Sequence, residues 1–392
     1  MSKLAVKNNR ILRSQQVLNA LIAIIRPYVP LDLQNTRITA EDIIAVLGYA
    51  SVHRISIDAA SHELKEAPSA NRLREVLAQA LPDRATLQRA LNTILRMQTP
   101  RFIKKGKRAY YMAIDLTLIP YHGEHYADEK EIIRSQPKSG TTHFHGYASV
   151  SIVHDNQRFV VALRFVEKGE SMQEIVAWLF DRLKSIGISI KRAYLDKGFC
   201  SVPVLKTLQR RKIKFIMPMP VRGKSGGVRK LFEASASYKT TYIFNSPKHG
   251  ELKVSAVAVK KYSKGRYHRK GTRWFAYAVA GLPKAVEPHQ VFELYRQRFG
   301  IETSYRQMNQ VRARTTSRNP VIRLLLVGLA FILFNLYIAN RQHFAICLKN
   351  PTKPFSKIWL TLRRLARMLA QAVENLFDLA DVVSRHTHVT LS

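Results

Sequence analysis

The stretch Tyr110-Tyr111-Met112-Ala113-Ile114-Asp115-Leu116-Thr117-Leu118-Ile119-Pro120 is apolar almost throughout, with one acid, Asp115, in its middle. Such a run, rich in aromatic and β-branched residues, reads as a buried strand. A carboxylate among apolar neighbours is costly unless something neutralises it, and a metal ion would do so. Ala193-Tyr194-Leu195-Asp196-Lys197-Gly198-Phe199 repeats the arrangement at a strand end, where Gly198 is expected to let the chain turn away and leave the Asp196 carboxylate facing open space. Because strand side chains alternate between faces, two such aspartates can converge on one site from neighbouring strands.

Around these runs the hydrophobic period changes several times. Residues 1 to about 97 read as short helices: Ile11 to Ile25, a segment from Ala40 capped by Thr39 and closed by Gly48, another beginning near Val52, then Asn71 to Leu81 and Arg84 to Met97. They suit a helix-turn-helix DNA reader or, equally, a packing or dimerisation module. Past the basic connector with Lys104 and Lys105, strands are expected at Tyr110 to Ile119, Tyr147 to Val153, Phe159 to Val166 (turned by Asn156), Ile190 to Leu195 and Lys214 to Met219. Helices from Ser171 to Gly187 and from Val202 to Lys212 fall between the later strands. That order predicts an α/β fold, a mixed sheet with flanking helices. A β-rich stretch interrupts it. The expected division is a helical DNA-binding region, 1–105; a core in two parts, 106–221 and 285–345; a β-rich insertion, 222–284; and a helical region, 346–392.

The charge names a partner class. There are 64 Lys and Arg against 27 Asp and Glu, a net +37 over 392 residues, so a polyanion is expected, with nucleic acid first. The charge recurs along the whole chain, unlike the single polybasic cluster of a membrane-surface protein. The longest apolar run, Leu324 to Ala339, reads as a buried helix, and the polar N-terminus carries no signal core, which points to the cytoplasm, at the nucleoid. Cys200 and Cys347 lack zinc-knuckle spacing and read as buried thiols. In the β-rich stretch, Lys224 and Arg229 lie in a Gly-rich loop. Lys260, Lys261, Lys264, Arg266, Arg269, Lys270 and Arg273 interleave with Tyr262 and Tyr267, a composition suited to phosphate contacts and stacking, or to a solvated hairpin.

A third acid comes from a helix starting at Pro288 and expected to run to about Gln310. Tyr295, Arg298, Glu302, Arg306 and Asn309 share one sector of it, while Leu294, Ile301 and Met308 would dock it on the sheet. Arg312 and Arg314 follow. Three carboxylates gathered together favour hard divalent cations, Mg²⁺ or Mn²⁺, and two such ions support in-line phosphoryl displacement. His122, His125, His143 and His145 are an alternative metal-binding group. The loop from Tyr121 to Thr142 reads as a turn or as a segment mobile until DNA binds. No Gly-x-Ser-x-Gly and no Gly-x4-Gly-Lys-Ser/Thr occurs, so neither serine hydrolysis nor a nucleotide cofactor is indicated.

At these residues the chain resembles the DDE transposases of prokaryotic insertion sequences, in the superfamily marked by a Tyr-x2-Arg-x3-Glu-x6-Lys helix. Tyr295, Arg298 and Glu302 match its spacing, and Ile57-Asp58-Ala59-Ala60-Ser61-His62-Glu63-Leu64 looks like the haloarchaeal-type subgroup. The resemblance implies an RNase H-like core, two metal ions held by Asp115, Asp196 and Glu302, and DNA-end handling by Tyr295 and Arg298. It further implies cut-and-paste transposition of double-stranded element ends into target DNA, by a homodimer or larger assembly. The family's final Lys position holds Asn309, with Arg306 and Arg312 nearby, which leaves open whether cleavage passes through a DNA hairpin. An RNase H-like nuclease or resolvase without strand transfer, or a non-catalytic DNA-binding copy, are the competing readings. Removal of residues 1–100 is expected to weaken end recognition more than general DNA affinity.

Overall fold

The computed structural model describes residues 11–34, 36–105, 108–154, 157–264, 270–296, 306–347 and 360–381. The chain divides into two units, one formed by Met1–Gln98 with Gln307–Ser392 and one by Thr99–Arg306.

In the second unit the short helix α6 (Arg101–Lys105) leads into β1 (Tyr110–Pro120), an inner strand of a nine-stranded sheet. β1 pairs antiparallel with β3 (Thr141–His154), whose other edge carries β2 (Ile133–Lys138) and β4 (Gln157–Val166). On its opposite side β1 runs parallel to β5 (Ile190–Leu195), and β5 parallel to β6 (Phe215–Pro218). From β6 the sheet continues antiparallel through β9 (Lys270–Ala280), β8 (Gly250–Lys264) and β7 (Tyr238–Ser246). The β-rich stretch therefore widens the same sheet; β6 offers it an open edge whose backbone groups must be paired. Part of the stretch expected to be a turn or mobile loop instead forms β2, which reverses into β3 through Ser139 and Gly140, both at positive φ. Asn156, expected at the β3–β4 turn, lies outside the described residues.

Helix α7 (Met172–Ser185) starts where Ser171 accepts the Glu174 N–H and Glu174 returns a bond to the Ser171 N–H. This capping box satisfies two of the helix's orphan donors. α7 packs on β3, β4 and helix α8 (Val202–Arg210). α9 (Pro288–Arg296) lies on a cluster of Ala113, Tyr194, Ile216, Val257, Tyr277 and Val279, into which it inserts Val291 and Tyr295. The helix expected to reach Gln310 is described only over Pro288–Arg296 and, past residues 297–305, for one turn from 306 to 308.

The other unit is helical and draws on both ends of the chain: α1 (Ser14–Ile25), α2 (Ala40–His53), α3 (Ile57–Glu63), α4 (Ala70–Ala80), α5 (Arg84–Gln98), α10 (Pro320–Cys347) and α11 (Leu362–Phe377). Thr39 caps α2 as expected, accepting the Asp42 N–H. Gly48, however, does not end it. α2 runs on to His53 and stops at Arg54 in the left-handed region. Gly48 sits where α1 comes close: a Cβ there would stand 3.2 Å from Leu21. The next helix then begins at Ile57, after Ser56 caps it.

α10 was expected to complete the α/β core, yet it packs with α2, α5 and α11. Its segment Pro320–Arg341 is long and apolar enough to cross a bilayer, and 94% of its most apolar stretch is buried inside the protein. Gly328 lets α5 approach, since a Cβ there would meet Leu91 at 2.6 Å.

Candidate active site

Asp115 lies in β1 opposite Ser149 of β3 and is half-buried. On the β5 side the last registered pair is Ile114 with Leu195, so Asp115 and Asp196 each stand one residue beyond it. Alternation puts both carboxylates on the same face as the preceding Ala113–Tyr194 pair, the face that α9 covers. Asp196 is extended, with φ −75° and ψ 160°, and caps a short 3₁₀ turn (Lys197–Phe199), its Oδ1 accepting the Lys197 N–H at 2.7 Å. The turn does not need Gly198. Its φ is not in the left-handed region, and a Cβ there would meet nothing within 4 Å.

α9 is seated against this strand end by Tyr295. Its side chain is only 4% exposed, its hydroxyl donates to the Leu195 carbonyl at 3.2 Å, and its ring lies 5.3 Å from that of Tyr277. A residue expected to handle DNA is thus a buried link between α9 and the residue preceding Asp196. Leu294 packs against the same cluster, as expected. Met308 is buried but belongs to the helical unit. Glu302, Arg298 and Ile301 lie outside the described residues, and among the described ones no three His, Cys, Asp or Glu side chains gather at a metal-binding distance. Of the four histidines, His122 and His125 are exposed and His143 is half-buried, whereas His145 is buried beside Tyr121 and Phe165. Cys200, four residues past Asp196, is a buried thiol, and burial pushes its pKa up to about 12. The side chain of Cys347 lies outside the described ones.

Residues 107–336, more than half of the chain, match the family model of the transposase DDE domain. The chain belongs to the DDE transposase family. No curated protein matches it in sequence. Among solved structures it is similar to a piggyBac transposase determined by cryo-EM in a synaptic complex with hairpin DNA. The likeness covers 95% of this chain and 83% of that one, with a TM-score of 0.57 and 12% identity, and so speaks for the fold alone.

In this DDE transposase the β8–β9 hairpin stands at the Asp196 end of the sheet. Tyr194 pairs with Ile216, which puts Asp196 level with Pro218, and Pro218 pairs with Tyr277. From Tyr277 the hairpin continues to the Lys264–Lys270 pair, a rise of roughly 24 Å at about 3.4 Å per residue. The loop after β6 is fastened to it. Phe232 stacks on Trp274 with ring centroids 5.9 Å apart, and Lys260 lies 5.7 Å over the same indole while donating to the Ser235 carbonyl at 2.8 Å. Ser237 accepts the Lys260 N–H, and Tyr238 donates to the Leu231 carbonyl.

The expected cations therefore have different surroundings. Lys260 is engaged within the loop, and Lys261 pairs with Glu293 of α9 at 2.6 Å and lies over Phe292. Composition leaves both as phosphate contacts or solvated cations; in the structure each ammonium has a partner within its own unit. Lys224, Arg229 and Arg273 are exposed, Arg229 also donating to the Gly223 carbonyl. Lys264 and Lys270 pair through their backbones at the hairpin end; Arg266 and Arg269 lie outside the described residues. Lys104 and Lys105 belong to α6. Arg306 is exposed; Arg312 and Arg314 belong to the helical unit, where the Arg314 N–H donates to the Ile55 carbonyl. In that unit α2 and α3 meet at 103° across a three-residue turn, the angle of a helix-turn-helix, though α3 carries Asp58 and Glu63. Sequence reasoning did not find Trp274 and Phe232 as positioning residues, because nothing local marks two aromatics 42 positions apart as partners.

Proposed function

We propose that the chain is a cut-and-paste transposase with an RNase H-like core, in which Asp115, Asp196 and Glu302 form one metal-binding site. The observation that carries this is the register of β1 against β5, with two aspartates one step past the Ile114–Leu195 pair on the α9-covered face. The core reading is supported by the strand order β4-β3-β1-β5-β6, two antiparallel pairings followed by two parallel ones. β7 to β9 are then an insertion between the second acid and the third.

The donor set fits divalent metal: two neighbouring carboxylates repel each other unless a cation lies between them, and hard oxygen donors suit Mg²⁺ or Mn²⁺. Bound there, a pair of such ions would supply Lewis acidity at phosphorus and an activated water or 3′-hydroxyl. The protein's own part is orientation. The Lys197 N–H holds the Asp196 carboxylate, and Tyr295 ties α9, whose chain continues to Glu302, to the strand end that bears Asp196. Exposed Lys224, Arg229, Arg273 and Arg306, with Lys264 and Lys270 and, between them in sequence, Arg266 and Arg269, serve as phosphate contacts for element ends and target DNA. Lys104, Lys105, Arg298, Arg312 and Arg314 complete the proposed set. Two ends must be held at once, which makes the working form a homodimer or larger, acting at a prokaryotic nucleoid.

The test is metal-dependent nicking of duplexes carrying the inverted-repeat ends that flank the coding region. Asp115→Asn, Asp196→Asn and Glu302→Gln should each abolish nicking in Mg²⁺ and Mn²⁺ while end binding persists. Nicking at wild-type rate by any one of the three would remove that residue from the site.

A further inference from the structure

The helical unit carries a cationic surface outside this site. α11 buries Leu362, Leu365, Leu369, Val373 and Phe377 and packs on α1 and α2. Its outward side carries Arg363, Arg364, Arg367 and Gln371, all exposed. At 3.6 residues per turn these four fall within one sector of about 100°. Thr361 caps the helix by accepting the Arg364 N–H at 3.1 Å, so the arginines project from the first two turns of a capped helix. Gln371 accepts a hydrogen bond from the Ser14 hydroxyl at 2.8 Å, which brings the start of α1, with exposed Arg13, beside the row.

An ordinary solvated face mixes signs, and α4 does so: Arg72 pairs with Glu75, and Arg74 with Asp58. α11 differs. It has no acid before Glu374, which is half-buried with its carboxylate 3.9 Å from His53. Neither Arg363 nor Arg367 forms an ion pair with a described residue. Three cations within five residues, on a folded helix of a +37 chain, complement a polyanion of dense, regularly spaced charge.

We propose that the Arg363, Arg364 and Arg367 face of α11 is a phosphate-contact surface for double-stranded DNA. It binds without regard to sequence and gives the helical unit its own grip on the duplex. This rests on the reading that DNA is the partner of this chain.

The experiment compares the full-length protein, an Arg363→Gln, Arg364→Gln, Arg367→Gln variant, and an Arg37→Gln, Lys65→Gln, Arg96→Gln variant that removes equal charge from other exposed positions of the same unit. Fluorescence anisotropy follows binding to end duplexes and to unrelated duplexes between 50 and 200 mM salt, and thermal unfolding checks the fold. The α11 variant should unfold as wild type does and bind both duplexes more weakly by the same factor, on the order of tenfold at about 100 mM salt. Its slope of log affinity against log salt should be shallower by about 2 to 3, while the control slope stays near wild type. A wild-type slope in the α11 variant, or an equal change in the control, would overturn the proposal. So would a variant that keeps its DNA slope but loses binding to vesicles of acidic phospholipid. Wild-type protein without DNA affinity at 50 mM salt would overturn both this surface and the functional reading, whereas loss of nicking alone in Asp196→Asn leaves this surface standing.

Discussion

Tyr295 shows how much a single buried hydroxyl can organise. Its ring contributes to the cluster under α9 whatever its para substituent, so Tyr295→Phe should keep the packing and lose the bond to the Leu195 carbonyl. The expected loss is about 1 kcal/mol in unfolding free energy by denaturant titration, with a slower nicking rate at saturating DNA. If the hydroxyl instead worked on DNA, the variant would keep full stability and lose affinity. Asp115 and Asp196 were legible in sequence because a charge inside an apolar run violates the binary pattern, and violations of that kind concentrate at functional sites. The internal partners of Lys260 and Lys261 were not legible for the converse reason: a lysine in a basic stretch carries no local mark of whether its ammonium faces solvent, a carbonyl or a carboxylate.

At the scale of elements, the Gly-rich basic loop owes its position to the hairpin. The Phe232–Trp274 stack and the Lys260 cation–π contact together contribute about 1 to 3 kcal/mol to holding it. Trp274→Ala should free the loop, seen as faster proteolysis between residues 222 and 235, and lower DNA affinity several-fold. Trp274→Phe, which keeps a stacking ring, should restore most of both. Equal cleavage rates in wild type and Trp274→Ala would show that other contacts fix the loop. Most of the strands were readable from apolar pattern and length, but β2 falls in the stretch expected to be a loop and β3 begins six residues before the expected Tyr147. Their joining into one sheet was not readable, because pairing between β6 and β9 depends on backbone groups more than fifty residues apart.

At the scale of the whole molecule, the helical unit is built from both chain ends, and this changes what a truncation can report. Deleting residues 1–98 removes α1 to α5 and strips the cover from α10 and α11. Each large apolar side chain so exposed costs about 1.5 to 3 kcal/mol. The expected outcome is therefore loss of helical circular dichroism from the remaining C-terminal segments, with aggregation, in place of the selective loss of end recognition that a separate N-terminal reader would give. A soluble 99–392 fragment with α10 and α11 still helical would contradict this. By itself the sequence determined the polyanion as partner class, the mixed α/β character of the middle of the chain, and the two strand-borne aspartates, since charge, hydrophobic period and pattern violations are local properties. Only the tertiary structure decided that α10 belongs with the first hundred residues, that β7 to β9 continue the main sheet, and that Tyr295 faces inward. Those outcomes depend on which apolar surfaces and open strand edges meet in space, and that is a property of the whole packed chain.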